Sequence, residues 1–290
     1  MKSKLVSAII TTYKRRSKML DKAVQSVLMQ TYDNMELLIV DDNKNNNPLC
    51  AELRQYVDSL KNQKVRYIKQ KGNKGACAAR NLGMECAKGD YFAFLDDDDL
   101  WEPEKIEKQV KLFQNDSIGM VFCKGVEIND NTNPPKIYDY YSTKTFKSEV
   151  NFDDMINWDY IGTTSQAIIT RKCWEKVGGF YEKLPARQDY EMWIRISLDF
   201  RILGVPEPLF QYIQHGEEQI TKSFWKAFQG NRLLYKKHKN DRSNCSFKRD
   251  FLDAIYWRFK DKDGWYKYYF FVLLMIQQIR LKIFHPEVFA

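Results

Sequence analysis

The chain has 290 residues, 44% of them hydrophobic and 14% aromatic, enough to bury a sizeable core and too apolar for a disordered segment. Its formal charge of +8 is local: Lys222 to Lys262 holds twelve Lys or Arg against four Asp or Glu, while the rest carries thirty-four of each sign. The first apolar run, Leu5 to Ile10, is six residues long before Thr11 and Thr12, which suits a strand and not the hydrophobic stretch of a signal peptide.

In chain order, "LVSAII", "ELLIV" (Glu36 to Val40), "VRYI" (Val65 to Ile68) and "YFAFL" (Tyr91 to Leu95) are short β-rich runs separated by segments of helical spacing. That alternation predicts an α/β fold with a parallel sheet covered on both faces. Between the first two runs, Leu20, Ala23, Val24, Val27 and Leu28 mark one face of a crossover helix, with Ser17 placed to cap it. Ala76 to Lys88 reads as a second helix, ended by Gly89, whose small face (Ala79, Gly83, Cys86) permits close approach to the sheet or a ligand. From Asn129 to Phe146 the sequence is Tyr/Asn/Pro-rich and predicts a long loop, either a boundary or a mobile part of a site.

Beyond it, "SQAIIT" (Ser165 to Thr170) predicts a strand, "RKCWEKVGGF" a short helix stopped by two glycines, and Asp189 to Leu198 a helix with Trp193, Ile194 and Ile196 apolar. After Thr221 the pattern is helical and basic, with Phe247, Phe251, Ile255 and Phe259 spaced by four. "YYFFVLLMIQQI" (Tyr268 to Ile279) runs twelve residues without a charge, too short to span a bilayer and suited to a buried or interfacial helix. Six scattered cysteines (Cys50, Cys77, Cys86, Cys123, Cys173, Cys245) form no C-x-x-C pair, so they read as reduced thiols of a cytosolic protein.

Ligands of open parallel sheets bind beyond the C-terminal ends of the strands. Two of those ends are acidic, Asp41–Asp42 and Asp96 to Asp99. Crowded carboxylates raise one another's pKa, and a hard divalent cation, Mg²⁺ or Mn²⁺, relieves the conflict while leaving positions open for phosphate oxygens. Taken alone, an acidic run is more often a solvated turn, and Asp99 suits the cap of the helix begun by "EPEKIEKQV".

The ordered motifs "VSAIITTYKR", "QSVLMQTYDNMELLIVDDN", "GNKGACAARNLGMECAKGDYFAFLDDDDLWEPEKIEKQ" and "RQDYEMWIRI" resemble the nucleotide-sugar-dependent glycosyltransferases of family 2, over roughly residues 3 to 221. The resemblance implies a GT-A fold in residues 1–221, with a nucleotide-sugar half (1–128) and an acceptor half (129–221), followed by a basic helical segment (222–290). It implies that Thr11, Tyr13 and Asp42 meet the nucleotide base, and that Asp96 and Asp97 serve the ribose and diphosphate. Asp98 becomes the ligand of Mn²⁺ or Mg²⁺, and Asp189 the general base. Arg80, in the motif "ARN", either faces the diphosphate or braces the acidic loop. His215 becomes a further metal or phosphate contact, although a lone loop histidine is more often simply exposed. Gln188 stands where the family usually has Glu, which removes a charge beside the base.

The expected activity is therefore inverting hexosyl transfer from a UDP-sugar to a saccharide or lipid-linked acceptor. No Q-x-x-R-W motif of processive members occurs, so one sugar per encounter is expected. The basic segment suits peripheral contact with anionic lipid on the cytoplasmic face of the membrane, packing on the protein itself, or a homo-oligomer contact. Three rival readings are weaker. A glycoside hydrolase needs no nucleotide pocket, a nucleotidyltransferase would show a Gly-rich phosphate loop where "TTYKRRSK" stands, and a nucleic-acid binder rests on the tail alone.

Overall fold

A computed structural model of the chain describes residues 3–14, 17–140, 146–214, 224–238 and 272. In chain order its elements begin β1 (Val6–Thr12), α1 (Ser17–Leu28), β2 (Met35–Asp41), α2 (Leu49–Ser59), β3 (Val65–Lys69), α3 (Ala76–Cys86) and β4 (Tyr91–Asp96). They continue β5 (Leu100–Trp101), α4 (Lys105–Val110), β6 (Ile118–Asn129), β7 (Lys136–Asp139), β8 (Glu149–Val150), α5 (Phe152–Asn157), β9 (Ile168–Thr170) and α6 (Arg171–Val177). The last three are α7 (Gln188–Asp199), β10 (Arg201–Gln214) and α8 (Phe224–His238).

The described strands form a ten-stranded sheet with the order β3-β2-β1-β4-β9-β6-β10-β5, with β7 on β6 and β8 on β10. β3, β2, β1 and β4 run parallel, and β9 enters antiparallel between β4 and β6. The two-residue period of a strand divides the apolar residues between two cores. Ile9, Leu38, Val40, Phe92 and Phe94 face one side, under α3 and α7. Ala8, Ile10, Leu37, Ile39, Ala93 and Leu95 face the other, under α1 and α2, where Leu20, Val24, Val27, Leu53 and Val57 meet them. The mixed α/β architecture with a mostly parallel sheet is the one expected. The small face of α3 has its reason at Gly83, where a Cβ would lie 2.5 Å from Ile9 Cγ2.

Three local expectations are corrected. The stretch from Asn129 to Phe146 is not one long loop, because β7 folds back antiparallel on β6 and pairs Ile137 with Ile128 and Tyr138 with Glu127. β7 is exposed along its length, so backbone pairing defines it and hydropathy does not announce it. Residues 141–145 lie outside the described residues. "SQAIIT" is only half a strand: Thr164–Gln166 make a 3-10 turn capped by Thr163, and strand pairing begins at Ile168. Ser165 and Gln166 there donate to buried neighbours, Asp99 Oδ2 and Cys123 O. Finally, α4 begins at Lys105 with Glu104 at its cap position, so Asp99 lies too far upstream to cap it.

Among the described residues no helix is long and apolar enough to cross a membrane. Of the basic C-terminal segment, α8 and Val272 are described; apart from Val272, the run from Tyr268 to Ile279 lies outside the described residues, as does the Phe247 to Phe259 face. Cys77, Cys123 and Cys173 are buried free thiols, and burial pushes them up to about 12, 11 and 12.

Candidate active site

Parallel registry brings the acidic strand ends together: Thr12 lies beside Asp41 on β2, and Thr11 beside Asp96 on β4. Asp41 is buried and acts inward, accepting Tyr67 Oη at 2.6 Å and both nitrogens of Asn43 at 2.8 and 2.7 Å. Burial would raise its pKa, but those donors hold it below the usual carboxylate value. Asp42 organises the next loop. One oxygen accepts Gln70 Nε2 at 2.6 Å and the Lys74 N–H at 2.8 Å; the other accepts Asn73 Nδ2 at 3.1 Å and the Gly75 N–H at 2.9 Å. Four donors match the four lone-pair sites of a carboxylate. Gly75, with φ of 92°, supplies the left-handed turn that aims its N–H at Asp42 and opens α3.

The four aspartates at the end of β4 differ in burial: Asp96 closes the strand, and Asp97 and Asp98 form a turn across which the Asp99 N–H donates to Asp96 O at 3.1 Å. Asp97 and Asp99 are buried, and Asp96 and Asp98 are partly open. Asp97 accepts Thr12 Oγ1 at 2.6 Å. Asp96 pairs with Arg80 Nη2 at 2.5 Å, and the Thr163 and Thr164 hydroxyls lie 3.4 Å from its oxygens. Arg80 thus braces the acidic loop, itself buried and lying 5.6 Å over the Phe180 ring. Asp99 accepts Ser165 Oγ at 2.6 Å, while the same oxygen accepts the Asp96 N–H at 3.1 Å. Burial, with the charges of Asp96 and Asp98, holds the Asp99 carboxyl well above its ordinary value.

Asp189 sits in the first turn of α7, partly buried, behind Arg187 at the cap position. Its Oδ1 accepts the Tyr190 N–H at 2.8 Å. Burial first, and then the charge of Asp159, raise its pKa to about 6 against the opposing Tyr190 N–H, Arg80 and Arg187. Arg80 is paired with Asp96, and the charge of Asp189 acts on it more weakly. Gln188 is turned away, its Nε2 donating to Leu184 O at 2.9 Å.

Thr11 and Tyr13 lie at the mouth of β1, Tyr13 being 44% exposed with Lys14 Nζ 5.2 Å from its ring centroid. His215 lies outside the described residues. Among the described residues no group of three or more His, Cys, Asp or Glu is placed to hold a metal ion. Asp96 and Asp98, at the end of β4, are partly open oxygen donors, one or two carboxylates and no more. That fits a hard cation held by one or two carboxylates and completed by water and substrate phosphate. Sequence reasoning missed Asp159, Ser165, Gln70 and Asn73, since nothing in hydropathy or spacing marks a polar loop residue that folds back onto a strand end.

The sequence profile described as Glycosyl transferase family 2 matches residues 7–174. The chain belongs to that family. This family 2 glycosyltransferase is 31% identical over 259 residues to WcaA of Escherichia coli (strain K12), assigned to colanic acid biosynthesis; the alignment covers 84% of this chain and 85% of WcaA. It is 29% identical to WfaP of Escherichia coli, over 66% of this chain and 70% of WfaP, which is named a UDP-Glc:alpha-D-GlcNAc-diphosphoundecaprenol beta-1,3-glucosyltransferase. The mannosyltransferase PcManGT of Pyrobaculum calidifontis, solved with GDP-Man and Mn²⁺, superposes with a TM-score of 0.63 at 15% identity, covering 98% of this chain and 81% of that one. At that identity the likeness establishes a shared GT-A fold.

Proposed function

We propose that this glycosyltransferase is inverting, metal-dependent and non-processive. It transfers a sugar from a nucleoside diphosphate sugar, a UDP-sugar, to a saccharide or lipid-linked saccharide acceptor in surface polysaccharide or glycoconjugate synthesis. The observation that carries the reading is the acidic end of β4, where Asp96 is paired with Arg80 beyond the C-terminal ends of parallel strands and the charge of Asp189 also acts on that guanidinium. The UDP-linked donor and lipid-diphosphate acceptor in the name of WfaP support the substrate class, and the colanic acid assignment of WcaA supports the pathway class.

Asp189 takes the proton from the acceptor hydroxyl as that oxygen bonds to the anomeric carbon and the bond to the diphosphate oxygen breaks. One displacement inverts the centre, so an α-linked donor yields a β-linked product. With its carboxyl near 6, Asp189 is mostly ionised at neutral pH yet still basic enough to accept the proton. Thr11 and Tyr13 receive the nucleotide base. Asp42, its lone pairs taken by residues 70–75, shapes the base pocket through that loop. Asp96 and Asp97 face the ribose and diphosphate, Asp96 held by Arg80 and Asp97 by Thr12. Asp98 would hold Mn²⁺ or Mg²⁺, with His215 as a further contact. When bound, the cation neutralises charge on the departing diphosphate.

The test is a panel of nucleotide sugars screened for Mn²⁺-dependent turnover, with product analysis on candidate acceptors. Asp189→Asn is expected to abolish transfer while UDP still binds; retention of full activity would remove Asp189 from the mechanism. Asp98→Ala is expected to abolish the Mn²⁺-dependent part of UDP binding. Equal UDP affinity of the wild-type chain in MnCl₂ and in EDTA would refute the metal role.

A further inference from the structure

The turn that presents Asp189 opens on a residue with positive φ. Arg187, at the cap position of α7, has φ of 64° and makes no side-chain cap bond. A non-glycine residue in that region persists only where surrounding structure fixes it. Two residues beyond Asp189 lies Glu191, whose side chain has 0% exposure. A carboxylate so enclosed is costly unless charges and donors surround it. Arg195 supplies a fork, Nε to Oε1 at 2.9 Å and Nη2 to Oε2 at 2.9 Å. The other two partners come from α8: Lys237 Nζ bonds Oε1, and His238 Nε2 lies 3.6 Å from it. Together these donors overcome burial and hold the Glu191 carboxyl at about 2.

α8 also meets the segment ahead of Asp189. At Gly230 a Cβ would stand 2.6 Å from Ala186 O, so only glycine lets the helix close on that backbone. Lys237 Nζ lies 4.3 Å from the Tyr181 ring centroid, and Leu234 is 2% exposed in the core. The fork extends the connection toward the donor half. Arg195 Nη2 donates to Gly179 O at 2.8 Å, the next residue Phe180 exchanges hydrogen bonds of 2.8 and 3.0 Å with Asn81 on α3, and Arg80 follows beside it.

We infer that α8 is a brace for the catalytic base: Glu191 is a positioning residue through which Lys237 and His238 hold the first turn of α7, and with it Asp189, against the donor half. This rests on Asp189 being the base. The C-terminal helix therefore belongs functionally to the acceptor side of the site and not to a separate tail.

The test compares the wild-type full chain with Lys237→Ala/His238→Ala, which removes the two side chains of α8 that face Glu191 and leaves the core apolar residues in place, and with Lys237→Arg. Amide hydrogen exchange over residues 186–194 is expected to accelerate at least about tenfold in the double variant while β1 to β4 keep their protection. UDP release from the UDP-sugar that turns over fastest in the panel is expected to lose at least about tenfold in kcat with KM for the donor within about twofold. Lys237→Arg, which keeps a cation facing Glu191, is expected to leave both near their wild-type values. Unchanged exchange at 186–194, or a loss falling on donor KM and global protection as much as on kcat, would overturn the brace. If the wild-type chain turns over no nucleotide sugar, the functional reading fails, while the exchange pattern alone still decides whether α8 braces this turn.

Discussion

With its carboxyl raised to about 6, Asp189 gains a proton in mild acid, so transfer should fall as pH drops through about 6. The same shift has a stability consequence of definite sign. A carboxylate whose folded pKa lies above its unfolded value disfavours folding above about pH 6, and the cost is relieved as pH falls toward 4. Asp189→Asn, which keeps an oxygen for the Tyr190 N–H, should therefore exceed the wild type in Tm by more at pH 7.5 than at pH 4.5. Calorimetry at the two pH values checks it. Lys105 behaves as the converse case. It is fully buried, donates to Gln109 Oε1 at 2.7 Å, stands 4.3 Å from the Trp101 ring centroid, and burial lowers it to about 8. Its charge opposes folding below that value and is relieved as pH rises toward the unfolded value. Wild-type stability should consequently gain about 2 kcal/mol on Lys105→Met between pH 7 and 9.5, read by denaturant titration.

Among elements, α3 and its exit turn show what close packing demands of sequence. Gly89 is more constrained than Gly83: a Cβ there would meet Ser7 N at 2.7 Å and Leu5 O at 2.8 Å, backbone atoms that cannot rotate away. Gly89→Ala should cost about 1–3 kcal/mol and Gly83→Ala less, because Ile9 can shift a side-chain methyl. Equal destabilisation of the two in urea melts would contradict this account. The same elements separate what composition can announce from what it cannot. Strands β1 to β4 and helices α1 and α3 were legible because continuous apolar runs and helical periodicity both report burial. β7 and the turn at Thr164–Gln166 were not, since one is an exposed edge held by backbone pairing and the other a polar turn held by tertiary hydrogen bonds.

For the whole molecule, the sheet order sets which strand ends share a crevice, and α8 packs against the segment that leads into α7. Lys226, Arg232 and Lys236 lie on the exposed side of α8 with Leu233 38% exposed among them. We expect this face, with the basic residues that follow, to bind vesicles containing anionic phosphatidylglycerol and to release them as salt is raised, because screening shortens the reach of each lysine. Sedimentation with neutral and anionic vesicles checks it; equal binding to both would point to apolar insertion instead.

Sequence by itself determined the family, the α/β alternation and the acids that end two strands, because strand period, helix spacing and ordered motifs are local properties of the chain. Tertiary structure alone decided how those acids divide. The turn after β4 buried Asp97 and Asp99, Ser165 arrived from 66 residues away to hold Asp99, and Arg80 took Asp96. Asp99, a plausible helix cap in sequence, became a buried acid, and Glu191, silent in sequence, became the anchor of α8. The physical reason is common to these cases: the energy of a buried charge depends on the groups that surround it, and those come from distant parts of the chain.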